Sequence, residues 1–427
     1  MKRLGLTTLD RLKWLKHIIV TEESIKADIR DLSNHTPYLE ISNKRLSLLI
    51  QANQFKMNFY SKMKKELVSG LNKKDFLSIQ NYYPPDLNVN PFTFKSLIRD
   101  WGSRKEYNQR EIITSYIKNK LQELSIPFQG NSIFLGCGNG GYVVDFAGDY
   151  DNTYAFDNSL PMIWSILFLS ELREWEVLQK IEKNCRKISD TVIQEKLSIT
   201  EREVKIIKDK IRFSVEDLKE LSIESASINH IYSIYFTDVL PLKILFEQLN
   251  RILQEKGLFI HFGPLDYFFT DEVDMLTTEE IVVFFKEKNY TILVDEYLPT
   301  RHLYFEDSMK YQTYDNWFFI AQKSSISSSQ LKKHSRIILS SKSTLNYEIK
   351  TVNDNNFLHE NYIISNSKIS YFLPKVIYEM LKKVDSQKDI DSVLQSIDLT
   401  DLSQEDMSEI LKTLQELYNN NLIKLLK

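Results

Sequence analysis

Hydrophobic residues in the first 125 positions recur at intervals of three and four. The clearest runs are LSLLIQANQFKMNFYSKMKKEL (residues 46–67) and REIITSYIKNKLQEL (residues 110–124), so this region is expected to be mostly helical. Between them, NYYPPDLNVNPFTF (residues 81–94) mixes prolines, asparagines and aromatics without a period, and reads as a loop packed against something. Arg99, Asp100 and Trp101 then stand at the start of a polar loop. From residue 131 the pattern becomes short apolar runs separated by helical stretches. The expected strands are residues 132–136, 153–157, 211–215, 228–235, 257–262, 290–298 and 316–323, and the expected helices are 141–147, 160–180, 240–255 and 277–288. That alternation predicts a mostly parallel sheet with helices on both faces. Residues 171–210 are highly charged with helical spacing and are expected to form a solvated helical insertion after the second strand.

SSISSSQ (residues 324–330) reads as a flexible linker. Beyond it, RIILS (336–340) and NYEIK (346–350) read as short strands, followed by helices over 374–384, 388–397 and 404–420 and an apolar run at 422–426. Ser403 with Asp406 has the spacing of a capping box. Small strands with three helices suggest a winged-helix-like appendage. The expected layout is a helical N-terminal cap (1–125), an α/β Rossmann-like domain (126–323) carrying the insertion, a linker (324–331) and an α+β winged-helix-like domain (332–427).

The chain has 427 residues, 42% hydrophobic and 26% charged, which suits two or three globular domains. A net charge of -3 gives no global drive toward nucleic acid or anionic membrane. Only two cysteines occur, far apart, so a reducing compartment is expected and neither a disulfide framework nor a zinc site is. The N-terminus lacks a signal-peptide core and no stretch of about 18 apolar residues exists, which makes the cytosol the default.

Chemistry concentrates in Asn131 to Asn158, NSIFLGCGNGGYVVDFAGDYDNTYAFDN. Gly136, Gly138, Gly140 and Gly141 fall within six residues, although the chain has only 11 glycines. Such a cluster lets backbone approach a ligand and turn onto a helix N-terminus. Asp157 closes the next strand, where an acid can accept ribose hydroxyls. The turn also satisfies the G-x-G-x-x-G pattern, which leaves three readings: a tight turn without ligand, a nicotinamide or flavin site, or an S-adenosylmethionine site. Three features favour the last. Residues 245–263 read as a helix, a glycine turn and a strand. Glu216 and Asp217 follow a strand where an acid can accept the adenine amine. The sheet ends in an antiparallel pair, without a second mononucleotide-binding half.

These residues resemble the carnosine N-methyltransferase family, a branch of the class I S-adenosylmethionine-dependent methyltransferases. The resemblance runs over about residues 40–323. It rests on the spacing from Gly136 to Asp157, on PMIWSILFLSE, VEDLKEL, IYFTDVLP, HFGPLDYFF and MKYQTYDNWFFIAQK, and on FKSLIRDW. In HFGPLDYFF the family's His falls on Phe268. The resemblance implies methyl transfer to an imidazole nitrogen of a histidine-containing peptide, protein or small molecule. It also implies that Gly136, Cys137, Gly138, Asn139, Asp157 and Asn158 hold the cofactor's ribose and methionine portions, with Glu216, Asp217 and Leu218 at the adenine.

A neutral imidazole nitrogen is nucleophilic only while its partner nitrogen carries the proton, so a carboxylate that accepts that N–H is wanted. Asp238 is the expected carboxylate; its alternative is an N-cap before PLKILFEQL. Tyr267 and Tyr314 are expected to face the acceptor, whereas Tyr235 and Phe236 read as packing residues. Arg99 is expected to meet the methionine carboxylate, closing with Trp101 over the cofactor; its alternative is a surface ion pair with Asp100 or Glu106. His261 reads as a core histidine and Cys137 as a small residue that fits. Two rival readings remain open: a cofactor-binding scaffold whose C-terminal domain binds a peptide or protein partner, and an oxidoreductase.

Overall fold

The computed structural model describes residues 4–79, 93–103, 107–181, 185–216, 218, 221–324, 336–341, 343–352, 357–366, 369–384, 387–397, 403–420 and 422–426. The chain divides into two compact units, Met1–Ser324 and Ser325–Lys427. Apart from Ser324, the expected linker at 324–331 lies outside the described residues, as does the expected loop at 81–94 up to Thr93.

The first unit begins with two 27-residue helices, α1 (Thr8–Asn34) and α2 (Ser42–Val68), packed on one another. Thr7 and Asp10 cap α1 reciprocally, satisfying amides that its first turn leaves unpaired. The short α3 (Lys73–Leu77), then α4 (Thr93–Trp101) and α5 (Gln109–Glu123), complete the helical region. Arg99, Asp100 and Trp101 therefore close a helix and do not open a loop. Phe59, Phe94 and Trp101 belong to the same apolar core as Phe134 and Tyr232, so the N-terminal helices and the sheet share one interior.

Seven strands form the main sheet: β1 (Asn131–Leu135), β2 (Asn152–Phe156), β5 (Ile211–Ser214), β6 (Ile228–Ile234), β7 (Leu253–Gly263), β8 (Tyr290–His302) and β9 (Gln312–Lys323), in the order β5-β2-β1-β6-β7-β9-β8. The first five pair in parallel, and β9 runs antiparallel to both β7 and β8. Helices α6 (Gly141–Ala147), α7 (Leu160–Leu172), α8 (Glu201–Asp209), α9 (Leu242–Ile252) and α10 (Thr278–Glu287) connect them. This is the Rossmann-like sheet with the expected antiparallel end. β8 and β9 pair on to Thr300↔Tyr314 and His302↔Gln312, past Gly263↔Trp317 at the end of β7, so the end of β8 and the start of β9 overhang the C-terminal edge of the parallel strands.

The expected helix at 160–180 and helical insertion at 171–210 are overturned. Helix α7 ends at Leu172, where Arg173 takes a left-handed conformation, φ 73. An antiparallel hairpin follows, β3 (Glu174–Lys180) with β4 (Val192–Ser198), before α8. Charge masked its period of two: Val177 and Gln179 on one strand, with Ile193, Glu195 and Leu197 on the other, are buried while alternate residues face water. Buried Glu195 accepts from the amide (2.7 Å) and hydroxyl (2.9 Å) of Ser103, which ties the hairpin to the end of α4.

The second unit has its own core, which includes Ile337, Ile377, Leu381, Val393, Leu414 and Ile423. Strand β10 (Arg336–Leu339) pairs with the final strand β14 (Ile423–Leu426), and β11 (Thr344–Val352), β12 (Phe357–Ser365) and β13 (Ser370–Phe372) form a meander. Helices α11 (Lys375–Lys383), α12 (Ile390–Gln395) and α13 (Gln404–Asn419) fall where expected, α13 with its Ser403–Asp406 capping box. Strands β12 and β13 were not anticipated; FLHENYIIS mixes charge and amide residues into an otherwise β-prone run.

Candidate functional site

The glycine turn joins β1 to α6 through backbone conformations that a side chain would obstruct. At Gly136, φ is +61 and a Cβ would stand 2.1 Å from the Phe236 ring, which lies against this glycine. At Gly138 an added Cβ would meet only the Met162 sulfur, at 3.7 Å, so this backbone stays open to close approach. The Cys137 amide donates to the Phe156 carbonyl (2.8 Å), and burial pushes the Cys137 thiol well above its usual pKa, which suits a small packing residue and not a nucleophile. Asn139 is wholly buried, and its side-chain amide donates to the Ser165 hydroxyl (2.7 Å), which pins the turn to α7.

Asp157 stands at the C-terminal end of β2. Its carboxylate accepts from the Gly138 amide (2.8 Å) and the Ser159 amide (2.7 Å), one on each oxygen, and keeps a lone pair on each. Desolvation outweighs these bonds and raises its pKa to about 6. Asn158 beside it is exposed. Glu216 accepts from the hydroxyls of Ser214 (2.5 Å) and Ser222 (2.9 Å) and so closes its own loop, while Leu218 is buried in the core on the α9 face. Asp217 lies outside the described residues.

Helix α4 reaches the turn from the side. Trp101 donates its indole N–H to the Asn139 carbonyl (3.0 Å), and Asp100 accepts from the Gly141 amide (3.2 Å). Trp101 is 3% exposed; it is a strut beneath the turn and not the lid that the sequence suggested. Arg99 pairs with Asp100 through Nε (2.7 Å) and stacks on the Tyr142 ring (4.9 Å), but this pair is buried and not at the surface. Nη1 and Nη2 of Arg99 have no hydrogen-bond partner among the described residues. A cavity of about 450 Å³ touches Arg99 and Asp100 but none of Gly136, Gly138, Asp157 or Asp238. Its walls carry the ion-paired Arg110 and Asp145, so we read it as a polar seam beside the site.

Asp238 follows β6 and is 2% exposed. Its Oδ2 accepts from the Asp266 amide (3.0 Å), and its Oδ1 is buried without a hydrogen-bond partner among the described residues. Helix α9 takes its N-cap at Pro241 without a side-chain cap, so the capping alternative for Asp238 falls. Burial lifts Asp238 to a pKa of about 6. Burial raises the pKa of the Tyr267 and Tyr314 hydroxyls, and the negative charge of Asp238 adds to both. The Tyr267 hydroxyl donates to the Leu276 carbonyl, while Tyr314 reaches only Gln312, at 3.3 Å. Phe268, at the position of the family's His, is 70% exposed. His261 is a core histidine, bonded to Thr237 (2.8 Å) and the Gly263 carbonyl (3.2 Å), and burial lowers its pKa to about 4.

Two residues escaped the sequence reading. The His302 ring lies 4.9 Å from that of Tyr235 and 4.8 Å from that of Tyr314. Gln109, 2% exposed, donates to the Tyr235 hydroxyl (2.9 Å) and stands 3.5 Å from His302 Nδ1. Neither sits in a motif; only the overhang of β8 and the start of α5 bring them together.

The open backbone at Gly138, the acceptor Asp157 and the free end of Arg99 fit a nucleoside that carries an amino-acid tail. A model of the carnosine N-methyltransferase family matches residues 78–325. None of the curated proteins matches. Among solved structures, magnesium protoporphyrin IX methyltransferase from Synechocystis shares 13% identity over 60% of this chain and 99% of that chain, with a TM-score of 0.34. An S-adenosylmethionine-dependent methyltransferase from Clostridium acetobutylicum shares 15% identity over 50% and 91%, with a TM-score of 0.31.

Proposed function

Because this chain belongs to the carnosine N-methyltransferase family and is an S-adenosylmethionine-dependent methyltransferase, we propose that it methylates an imidazole nitrogen of a histidine-containing peptide or small molecule. The observation that carries this reading is Asp238 Oδ1, a buried carboxylate oxygen with no partner of its own. Leaving such a group unpaired costs about 1–3 kcal/mol, which an N–H brought by a ligand relieves.

The cofactor, when bound, supplies a methyl group already activated on a sulfonium. Asp157 accepts the ribose hydroxyls on the lone pairs its amide bonds leave open. The backbone at Gly136 and Gly138 lies along the tail, and Asn158 and Glu216 flank the nucleoside. Asp238 accepts the N–H of the acceptor imidazole, which fixes the tautomer and leaves the other nitrogen's lone pair free for in-line attack. As positive charge develops on the ring, the same carboxylate stabilises it. Tyr267 and Tyr314 wall the ring and exclude water.

The second unit supports a peptide or protein acceptor. Its β10–β14 pair, the Arg336–Asp389 bridge and three helices are compatible with a winged-helix-like module that would hold a chain segment. Among the described residues no helix is long and apolar enough to cross a membrane, and we place the reaction in the cytosol. The reading is tested by mapping the methylated atom by mass spectrometry on β-alanyl-histidine and on longer histidine peptides. Methyl on the imidazole is expected, with higher turnover per KM on the longer peptides; absence of methyl from every imidazole would sink it.

A further inference from the structure

Ser233 and His261 stand opposite one another across β6 and β7, so their side chains share a face of the sheet. The Thr237 hydroxyl meets both: it lies 2.8 Å from the Ser233 hydroxyl and 2.8 Å from His261 Nδ1. None of the three residues is more than 2% exposed. The last contact sets the direction of every proton. His261 Nε2 stands 3.2 Å from the Gly263 carbonyl, which can only accept, so the ring carries its proton on Nε2. Nδ1 then offers only a lone pair and accepts from the Thr237 hydroxyl, whose oxygen accepts in turn from Ser233. Burial lowers the His261 pKa to about 4, so the ring stays neutral at physiological pH.

Asp238 is the next residue after Thr237, and its other ties come from the chain that follows β7. Its Oδ2 accepts from the Asp266 amide (3.0 Å) and its carbonyl from the Phe268 amide (3.0 Å). The two segments run close: a Cβ added at Gly263 would stand 3.2 Å from the Tyr235 nitrogen. We propose that His261 and Thr237 are positioning residues for Asp238: through the chain Ser233–Thr237–His261–Gly263, β7 holds the turn after β6 in the setting that leaves Oδ1 unpaired for a ligand. This rests on the acceptor role given to Asp238 above. Every buried donor in the chain has its acceptor, so the network is rigid and carries no charge that would compete for the carboxylate.

Turnover on an imidazole acceptor and S-adenosylhomocysteine affinity are measured in Thr237→Val, Thr237→Ser, His261→Phe and His261→Asn. Val and Phe break the chain; Ser keeps the hydroxyl, and the Asn oxygen can stand where Nδ1 stood. Val and Phe are expected to lower kcat/KM by about tenfold with cofactor affinity kept, and Ser and Asn to recover most of the loss. Combined with Asp238→Asn, neither Val nor Phe should lower turnover further, because residues that act as one unit are not additive. A full further loss beside Asp238→Asn, or equal losses in Thr237→Ser and Thr237→Val, overturns the proposal. Thr237→Val, close in volume to the native residue, decides alone should His261→Phe fail to fold. NMR adds a readout that needs no acceptor. The His261 ring should show its proton on Nε2, and the Asp238 carboxyl should move from about 6 down toward 3.8 in Thr237→Val as water reaches it. That variant leaves in place the groups whose charge couples to Asp238, namely Asp266, Tyr267 and Tyr314. A proton on Nδ1, or an unmoved Asp238 midpoint, overturns the chain. If the wild type methylates no imidazole, only the acceptor reading fails, and the NMR still decides.

Discussion

The two carboxylates at the C-terminal edge of the sheet have the same burial-raised pKa of about 6 but opposite bonding. Asp157 has a backbone amide on each oxygen. Asp238 has one on Oδ2 and nothing on Oδ1. The same contrast extends outward. The glycine turn is held by Trp101, Asp100 and Asn139, whereas Arg99, His302 and Asp238 each keep hydrogen-bonding capacity unused among the described residues. In the function proposed above, a nucleoside is a constant guest, and the turn that would seat it is built by the chain itself. The reacting end is left to be completed by what binds there.

The largest expected effect comes from removing the unused charge. In Asp238→Asn the side-chain oxygen still accepts the Asp266 amide, so the fold holds, but an NH2 replaces the oxygen that meets the acceptor N–H. Turnover per KM on an imidazole acceptor is expected to fall by about 10²–10³ with cofactor affinity kept in calorimetry. Undiminished turnover would erase the contrast. Asp157→Ala should act on the other side only: S-adenosylhomocysteine affinity drops by about 10–100-fold through the lost ribose contacts, with the chemical step at saturating cofactor little changed.

The smallest effect is on pH. Both folded pKa values lie above the ordinary aspartate value of 3.8, so the folded chain holds protons between about pH 4 and 6 that the unfolded chain has released. The contribution of these groups to stability is therefore most favourable below about pH 4, falls as pH rises through 6, and stays low above it, by on the order of 2–3 kcal/mol per group at most. Thermal midpoints of Asp157→Asn and Asp238→Asn, compared with wild type from pH 4.5 to 7.5, should each show a shallower decline. Parallel curves would mean that the two carboxylates are not desolvated.

What could be read in the sequence divides along the same line. The glycine turn at Gly136 and Gly138 and the place of Asp157 after β2 were legible because they are written in local backbone geometry, and the positions of the strands followed from short apolar runs. Asp238 was legible from its place after an apolar strand, though only the fold could reject the cap. His302 and Gln109 were invisible because they lie 193 residues apart and meet only through the overhang of β8. The β3–β4 hairpin was misread because Glu and Lys, which favour helices, fill its outward positions; the left-handed residue that starts it, Arg173, carries no compositional mark.

The strut from α4 bears on how this enzyme could be divided or shortened. A fragment that starts at the sheet would lack the indole that donates to the Asn139 carbonyl and the carboxylate that accepts from the Gly141 amide. The glycine turn is thus a joint product of two stretches of chain that a boundary drawn near residue 125 would separate. Changes in the N-terminal helices that shift α4 are transmitted to the glycine turn, and a graft of that turn onto another scaffold must carry α4 with it.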